Sequence, residues 1–324
     1  MYPVKQSTLT PLGGAMDQLV EFVMNIVDGG SIYGFLVPIY VGLLTAERVA
    51  HACLEQRVVW NNREAVSNLF LTGIFLGLGV AVGHLLPLGL MALVYENAAI
   101  IDLSSGLGDW LVAFLLYDLA WYLDHRIAHR TGVFWAMHHV HHSCPEYNMT
   151  VASRGFILDT TLLSRPMFYL LPIFGVSPAH YIMISIVTNI WGIAQHTRMV
   201  GKLGWLDLVF ATPSSHRVHH GVESHYIDKN FGEVLMIWDH LFGTFQIEHD
   251  EPSYGVTVPI NTVNPIKIQT AGIGWLCAKI RMAPTLKLKL LVLLKPPEWE
   301  PASETTGEAQ DIVFGTRSAK REFS

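Results

Sequence analysis

Six of the chain's sixteen histidines fall within nineteen residues, HRIAHRTGVFWAMHHVHHS at 125–143. Their spacing is that of metal ligands. His125 and His129 form HxxxH, His138, His141 and His142 form HxxHH, and His216, His219 and His220 repeat HxxHH some way on. Residues at i, i+3 and i+4 share one face of an α-helix, so each block would present its imidazoles together. Neutral imidazole binds zinc, copper and iron, and eight imidazoles exceed the four to six positions of one ion. The count implies two metals. The HExxH pattern of a hydrolytic zinc site is absent, whereas a histidine-rich dimetal site beside a membrane suits iron activating O2. Such a centre is needed to cut an unactivated C–H bond, because no side-chain acid, base or nucleophile is a strong enough oxidant. Isolated histidines carry other expectations. His84 and His180 lie in apolar stretches and read as packed or hydrogen-bonded residues, while His51, His225, His240 and His249 read as solvated.

The chain that must position these blocks has 324 residues, 51% of them hydrophobic and 15% charged. That balance points to a membrane protein. The first twenty residues lack the basic start, apolar core and cleavage site of a secretory signal, so insertion relies on internal spans. Cys53, Cys144 and Cys277 are far apart and lack CxxC spacing, which indicates neither a disulfide framework nor a thiolate metal site. Scattered basic residues and a net charge of −6 leave no footprint for nucleic acid, so none is expected as a partner.

Three apolar stretches precede or enter the histidine region. Residues 29–46 are uncharged, the run 69–95 carries no formal charge, and 107–123 contains Asp109 and Asp118 and leads into the first block. A bilayer core is crossed by about 20 apolar residues in a helix. A charge inside such a segment is expensive, so Asp118 should face protein or a site. It precedes His125 by seven residues, nearly two helical turns, and is a candidate acceptor for an imidazole N–H. The run 166–196 is broken at FGVSP (174–178) and reads as two helices or a hairpin. Ser215 reads as the N-cap of a helix bearing the third block. The organisation expected is an N-terminal segment (1–28), one membrane-embedded domain (29–266), an interfacial amphipathic segment (267–295) and a disordered tail (296–324). The fold class is an all-α integral membrane protein, with about four to five transmembrane or re-entrant helices under a cytosolic-side helical cap of histidine boxes. Arg126, Arg130, Arg198 and Lys202 near the boxes agree with a cytoplasmic placement in a multi-pass protein.

HxxxH, HxxHH and HxxHH after hydrophobic spans resemble the fatty acid hydroxylase/sterol desaturase superfamily of integral-membrane diiron oxygenases. The stretches WYLDHRIAHR, WAMHHVHHSCPEYNMTVASR, TPSSHRVHHG and IDKNFGEVLMIWDHLFGTF, followed by YGVTVPINTVNPI, are most similar to its alkylglycerol monooxygenase branch. The resemblance covers roughly residues 110–266. It implies metal-ligand roles for His125, His129, His138, His141, His142, His216, His219 and His220, and adds His196 in AQHTRMVGKLG as a ninth. His139 falls where the resembling sequences need no histidine and is expected to be a neighbour. The implied cofactors are two iron ions, with no catalytic residue beyond their ligands. Electrons would come from a separate donor, either tetrahydrobiopterin or a cytochrome or ferredoxin relay, since no haem, iron–sulfur or dinucleotide motif is present.

The resulting expectation is a membrane-bound monooxygenase that uses O2 to hydroxylate a C–H bond of a membrane lipid, by alkylglycerol ether cleavage or at another position. The alternative within the superfamily is a sterol or fatty acyl desaturase, in which two hydrogens leave and no oxygen is added. A membrane metal carrier would be expected to place ligands inside its spans, whereas these blocks lie at span ends and in polar segments.

Overall fold

The computed structural model describes residues 21, 32–53, 61–78, 85–103, 106–161 and 164–301. Helices α1 (Ile32–Cys53), α2 (Asn62–Leu78) and α3 (Leu85–Ala98) precede the two that carry the first histidine blocks, α4 (Leu107–Arg130) and α5 (Gly132–His142). Three 3-10 stretches (Met149–Ser153, Ile157–Thr161 and Pro166–Phe174) lead to α6 (Pro178–Gln195). The short helices α7 (Leu206–Val209), α8 (Pro213–His219) and α9 (Ile237–Phe242) follow, and α10 (Pro265–Met282) and α11 (Leu286–Leu294) close the described chain. Among the described residues there is no extended strand, only two isolated antiparallel bridges, Phe210 with Leu235 and Gly221 with Tyr254. The all-α class stands.

Among the described residues no helix is long and apolar enough to cross a membrane. Of the run 69–95, expected as one span, residues 69–78 lie in α2 and 85–95 in α3, and residues 79–84 lie outside the described residues. The N-terminal segment and His84 lie outside the described residues.

The break at FGVSP forms as the sequence indicated. Gly175 adopts φ 84° and ends the 3-10 helix, and a Cβ there would collide with the carbonyl oxygen of Ile101. Ser177 then caps α6, with His180 reciprocating at the third helical position and Pro178 at the first. His180 is thus a hydrogen-bonded residue, packed edge-on against Trp110 at 4.5 Å. His51, in contrast, is buried rather than solvated.

Two apolar clusters hold the histidine helices. Ala113, Tyr117 and Ala120 of α4 pack with Phe168, Leu171 and Ile184 from the 3-10 stretch and α6. On the other side α10 and α11 enclose α5 through Ala136, Leu276, Ala283 and Val292. The approach is close enough that Gly272 is required, since a Cβ on it would overlap the carbonyl of Ala136. Most of residues 267–295 lies in two helices, α10 and α11, packed on the second block. Of the tail, 302–324 lies outside the described residues, while Trp299 packs against this cluster and Lys279 Nζ donates to Pro297 O at 2.6 Å.

Candidate metal centre

The nine histidines gather into two groups, His125, His129, His138, His142 and His219 in one, His141, His196, His216 and His220 in the other. Neighbours along the helix are sent to different groups. In the second block His138 and His142 join the five-membered group and His141 the four-membered one. In the third block His216 and His220 join the smaller group and His219 the larger. The cause is helical geometry: residues four apart lie on nearly the same face, and a residue next to one of them is turned by about 100°. The groups adjoin, with the rings of His142 and His220 stacked at 4.4 Å.

Within the larger group Nε2 of His142 stands 3.1 Å from that of His129, 3.2 Å from that of His138 and 3.1 Å from that of His219. His125 Nε2 is 3.1 Å from His138 Nε2. In the smaller group His196 Nε2 lies 3.3 Å from His141 Nε2 and 3.1 Å from His216 Nε2. A ring nitrogen offers one proton or one lone pair, so His142 Nε2 cannot hydrogen-bond three others at once. A cation held by the lone pairs satisfies them all, and imidazole nitrogens bound at about 2.1 Å around one ion stand about 3 Å apart. The donor set fits a metal in each group.

The outer nitrogens are fixed by the chain. His125 Nδ1 meets Phe231 O at 2.9 Å, His219 Nδ1 meets Lys229 O at 2.9 Å, and His196 Nδ1 meets Gly192 O at 2.7 Å. Each bond places the proton on Nδ1 and turns a bare Nε2 inward. The carbonyls of residues 229 and 231 are aimed by two left-handed residues, Asp228 (φ 59°) and Asn230 (φ 54°). Asn230 also braces the loop, donating to Ser215 O and Gln246 O and accepting from Gln246 N. Asp228 faces His129 Nδ1 at 3.4 Å and pairs with Arg130. Burial pushes the pKa of His125, His138, His141, His142, His216, His219 and His220 well down, and that of His196 to about 4. These imidazoles are neutral at physiological pH, as ligation requires.

Two buried ion pairs lock the frame. Arg154, fully buried, donates to Glu64 Oε2 at 2.7 Å and to Ser143 Oγ at the end of α5. Arg217, inside the third block, bonds both oxygens of Glu248 at 2.7 Å and the carbonyls of Thr197 and Val200.

Asp118 does not reach an imidazole. Its oxygens accept from the backbone N–H of Val234 and Leu235 and from Trp238 Nε1, at 3.0, 3.2 and 2.9 Å. It anchors the segment after Phe231, and Asp239 holds the same segment through Phe231 N and Gly232 N. Ser215 is not the N-cap of α8. Thr212 is, and Ser215 at the third helical position completes the capping box with it. His139 joins neither group. Asp228, Gly192 and the carbonyls of Lys229 and Phe231 escaped the sequence reading, and the signal for the loop was the Asp and Asn of IDKNFG, residue types that tolerate positive φ.

Residues 110–244 match the family model described as fatty acid hydroxylase. Among curated proteins, the chain is 35% identical over 223 residues to alkylglycerol monooxygenase of Homo sapiens, covering 68% of this chain and 49% of that protein. It is 32% identical over 289 residues to the Danio rerio alkylglycerol monooxygenase, covering 85% and 63%. Ornithine lipid hydroxylase OlsE of Rhizobium tropici is 29% identical over 207 residues, 60% of each chain. The chain spans about half the length of the human relative it matches. No solved structure gives a significant match. The matched residues 110–244 hold all nine clustered histidines, so the site lies within a stretch similar to the fatty acid hydroxylase family.

Proposed function

We propose that the chain is a membrane-bound lipid monooxygenase whose nine histidines hold two iron ions, five imidazoles at one and four at the other. The observation that carries this reading is the convergence of bare Nε2 atoms into two adjoining groups within a fatty acid hydroxylase domain. Bound there, the iron pair supplies the O2-dependent oxidation of a C–H bond that no side chain can perform. The chain supplies neutral imidazoles and backbone carbonyls that fix their tautomers. The relatives' names, alkylglycerol monooxygenase and ornithine lipid hydroxylase, support a lipid with a polar headgroup as substrate. Electrons come from a separate donor, a reduced pterin or a small redox protein.

The side chains of Val66, Phe70, Leu93, Leu111, Val187 and Leu241 are large, apolar and exposed, which supports a bilayer around the helices before and after the centre. Arg126, Arg130, Arg198 and Lys202 favour a cytoplasmic position for the histidines.

The test is metal content of the detergent-solubilised protein together with lipid mass spectrometry of membranes expressing it, against a His141→Ala control. Iron in the protein and an O2-dependent gain of one oxygen in a lipid, or release of a fatty aldehyde, are expected. Loss of two hydrogens instead would make the enzyme a desaturase, and metal without any lipid change would sink the oxygenase reading.

A further inference from the structure

Beside the histidine groups lie two buried carboxyls and a half-buried guanidinium that neither hold an imidazole nor pair with one another. The guanidinium of Arg165 rests 3.8 Å above the ring of Trp121 and 5.8 Å from that of Phe168. Among the described residues it makes no hydrogen bond and no ion pair. Asp124, 2% exposed, accepts from Met167 N at 2.9 Å through one oxygen, and its other oxygen has no partner. Glu233, 4% exposed, has no partner for its carboxylate among the described residues, and Oε1 lies so close to Gly192 that a Cβ there would stand 2.9 Å from it. The indole N–H of Trp121 is buried and unpaired as well.

Arg165 acts electrostatically on both carboxyls, opposing the upward push of burial on each. The set adjoins both histidine groups. Asp124 precedes His125, Trp121 stands 6.3 Å from the His125 ring, and Gly192, against which Glu233 lies, gives its carbonyl to His196. On the far side Tyr117 and Phe168 belong to the apolar cluster of α4 and α6.

Burying two carboxyls beside a half-buried guanidinium without pairing them is costly unless a ligand completes their hydrogen bonds. The stacking of Arg165 on Trp121 keeps the three from closing on one another. Its fork of N–H donors calls for oxygen acceptors, and the two carboxyls call for O–H or N–H donors.

We propose that Arg165, Asp124 and Glu233 form the headgroup pocket of the lipid substrate, which carries oxygen acceptors and O–H or N–H donors close to the carbon that is oxidised. A polyol and an amino-acid headgroup both have this chemistry. Because the pocket lies against the histidine groups, oxidation falls near the headgroup and away from the methyl end of the chain. The inference rests on the lipid-oxidising reading for the word substrate, but its binding claim stands apart from turnover.

The experiment is equilibrium binding to the detergent-solubilised, iron-loaded protein of three radiolabelled probes: a hexadecyl glycerol ether with both hydroxyls free, the same ether with both hydroxyls methylated, and an N-acylornithine. The parent should bind the free diol or the N-acylornithine at least about tenfold more tightly than the methylated ether, the worth of one hydrogen bond to a charged group. Whichever probe is preferred identifies the headgroup. Arg165→Met and Glu233→Gln should each remove the preference and leave binding of the methylated ether and iron content unchanged, and Arg165→Lys should restore part of it. Equal binding of all three probes by the parent overturns the proposal, and needs no variant to fold. So does a preference that survives Arg165→Met and Glu233→Gln in protein that retains its iron. A preference lost in the variants, in a protein that oxidises no lipid, upholds the pocket and counts against the oxygenase reading alone.

Discussion

The carboxylate of Asp228 stands 3.4 Å from Nδ1 of His129, whose Nε2 meets His142 Nε2 at 3.1 Å. An acceptor behind a ligating imidazole fixes its orientation and raises its basicity. Arg130 and His129 hold the pKa of this carboxyl down against the opposing effect of burial. Asp228→Asn should lower metal affinity by about 10- to 100-fold with the helical content intact. Metal titration against a competing chelator reads the change, and an unaltered affinity would remove Asp228 from the centre.

His142 meets three other Nε2 atoms, whereas His139 meets no other member of either group. His142→Ala should therefore take iron from about two per chain to about one or fewer, and His139→Ala should leave it unchanged. Elemental analysis of the two purified variants decides. A loss in His139→Ala as large as that in His142→Ala would contradict the grouping.

Arg217 and Glu248 are both buried and joined by two hydrogen bonds of 2.7 Å. Removing one partner leaves the other charge desolvated, so Glu248→Ala should destabilise the protein by about 3–5 kcal/mol. Thermal unfolding in detergent would show it. Because Arg217 lies between His216 and His219, iron should be lost with it, and a variant that unfolds at the parent's temperature would refute the pair's role.

Burial raises the carboxyl of Glu233 from its ordinary 4.5 to about 8, with the Arg165 charge opposing the rise. A raised folded pKa favours the protonated form, so the contribution to stability is full below 4.5 and is lost as pH rises toward 8. Glu233→Gln cannot ionise and escapes that loss. Its stability advantage over the parent should grow between pH 4.5 and 8 and level off above, as followed by unfolding midpoints across that range. A gap that stays constant with pH would mean that Glu233 ionises as freely folded as unfolded.

Local periodicity made the histidine blocks legible, and the chain brings together the nine positions read as ligands and leaves His139 aside. The allotment between two groups was not legible, because it depends on how α5 and α8 cross. Asp118 shows the same limit. Its offset of seven from His125 was a sound local argument, but its carboxylate is claimed by Val234, Leu235 and Trp238, more than a hundred residues away. Thr212 and Ser215 form one capping box, and a sequence containing both leaves the cap open until the backbone at 212 is seen to be extended. His51, flanked by Ala50 and Ala52 in the sequence, is buried in the folded chain.

The division of each HxxHH block between two groups bears on how the centre assembles. An ion bound by the five imidazoles clamps α5 to α8 through His142 and His219, and in doing so sets their neighbours His141 and His220 in place for the second ion. The same holds in reverse. Filling one position would order most of the other, so loading should be cooperative: at substoichiometric iron, empty and doubly filled molecules should coexist with few carrying one ion.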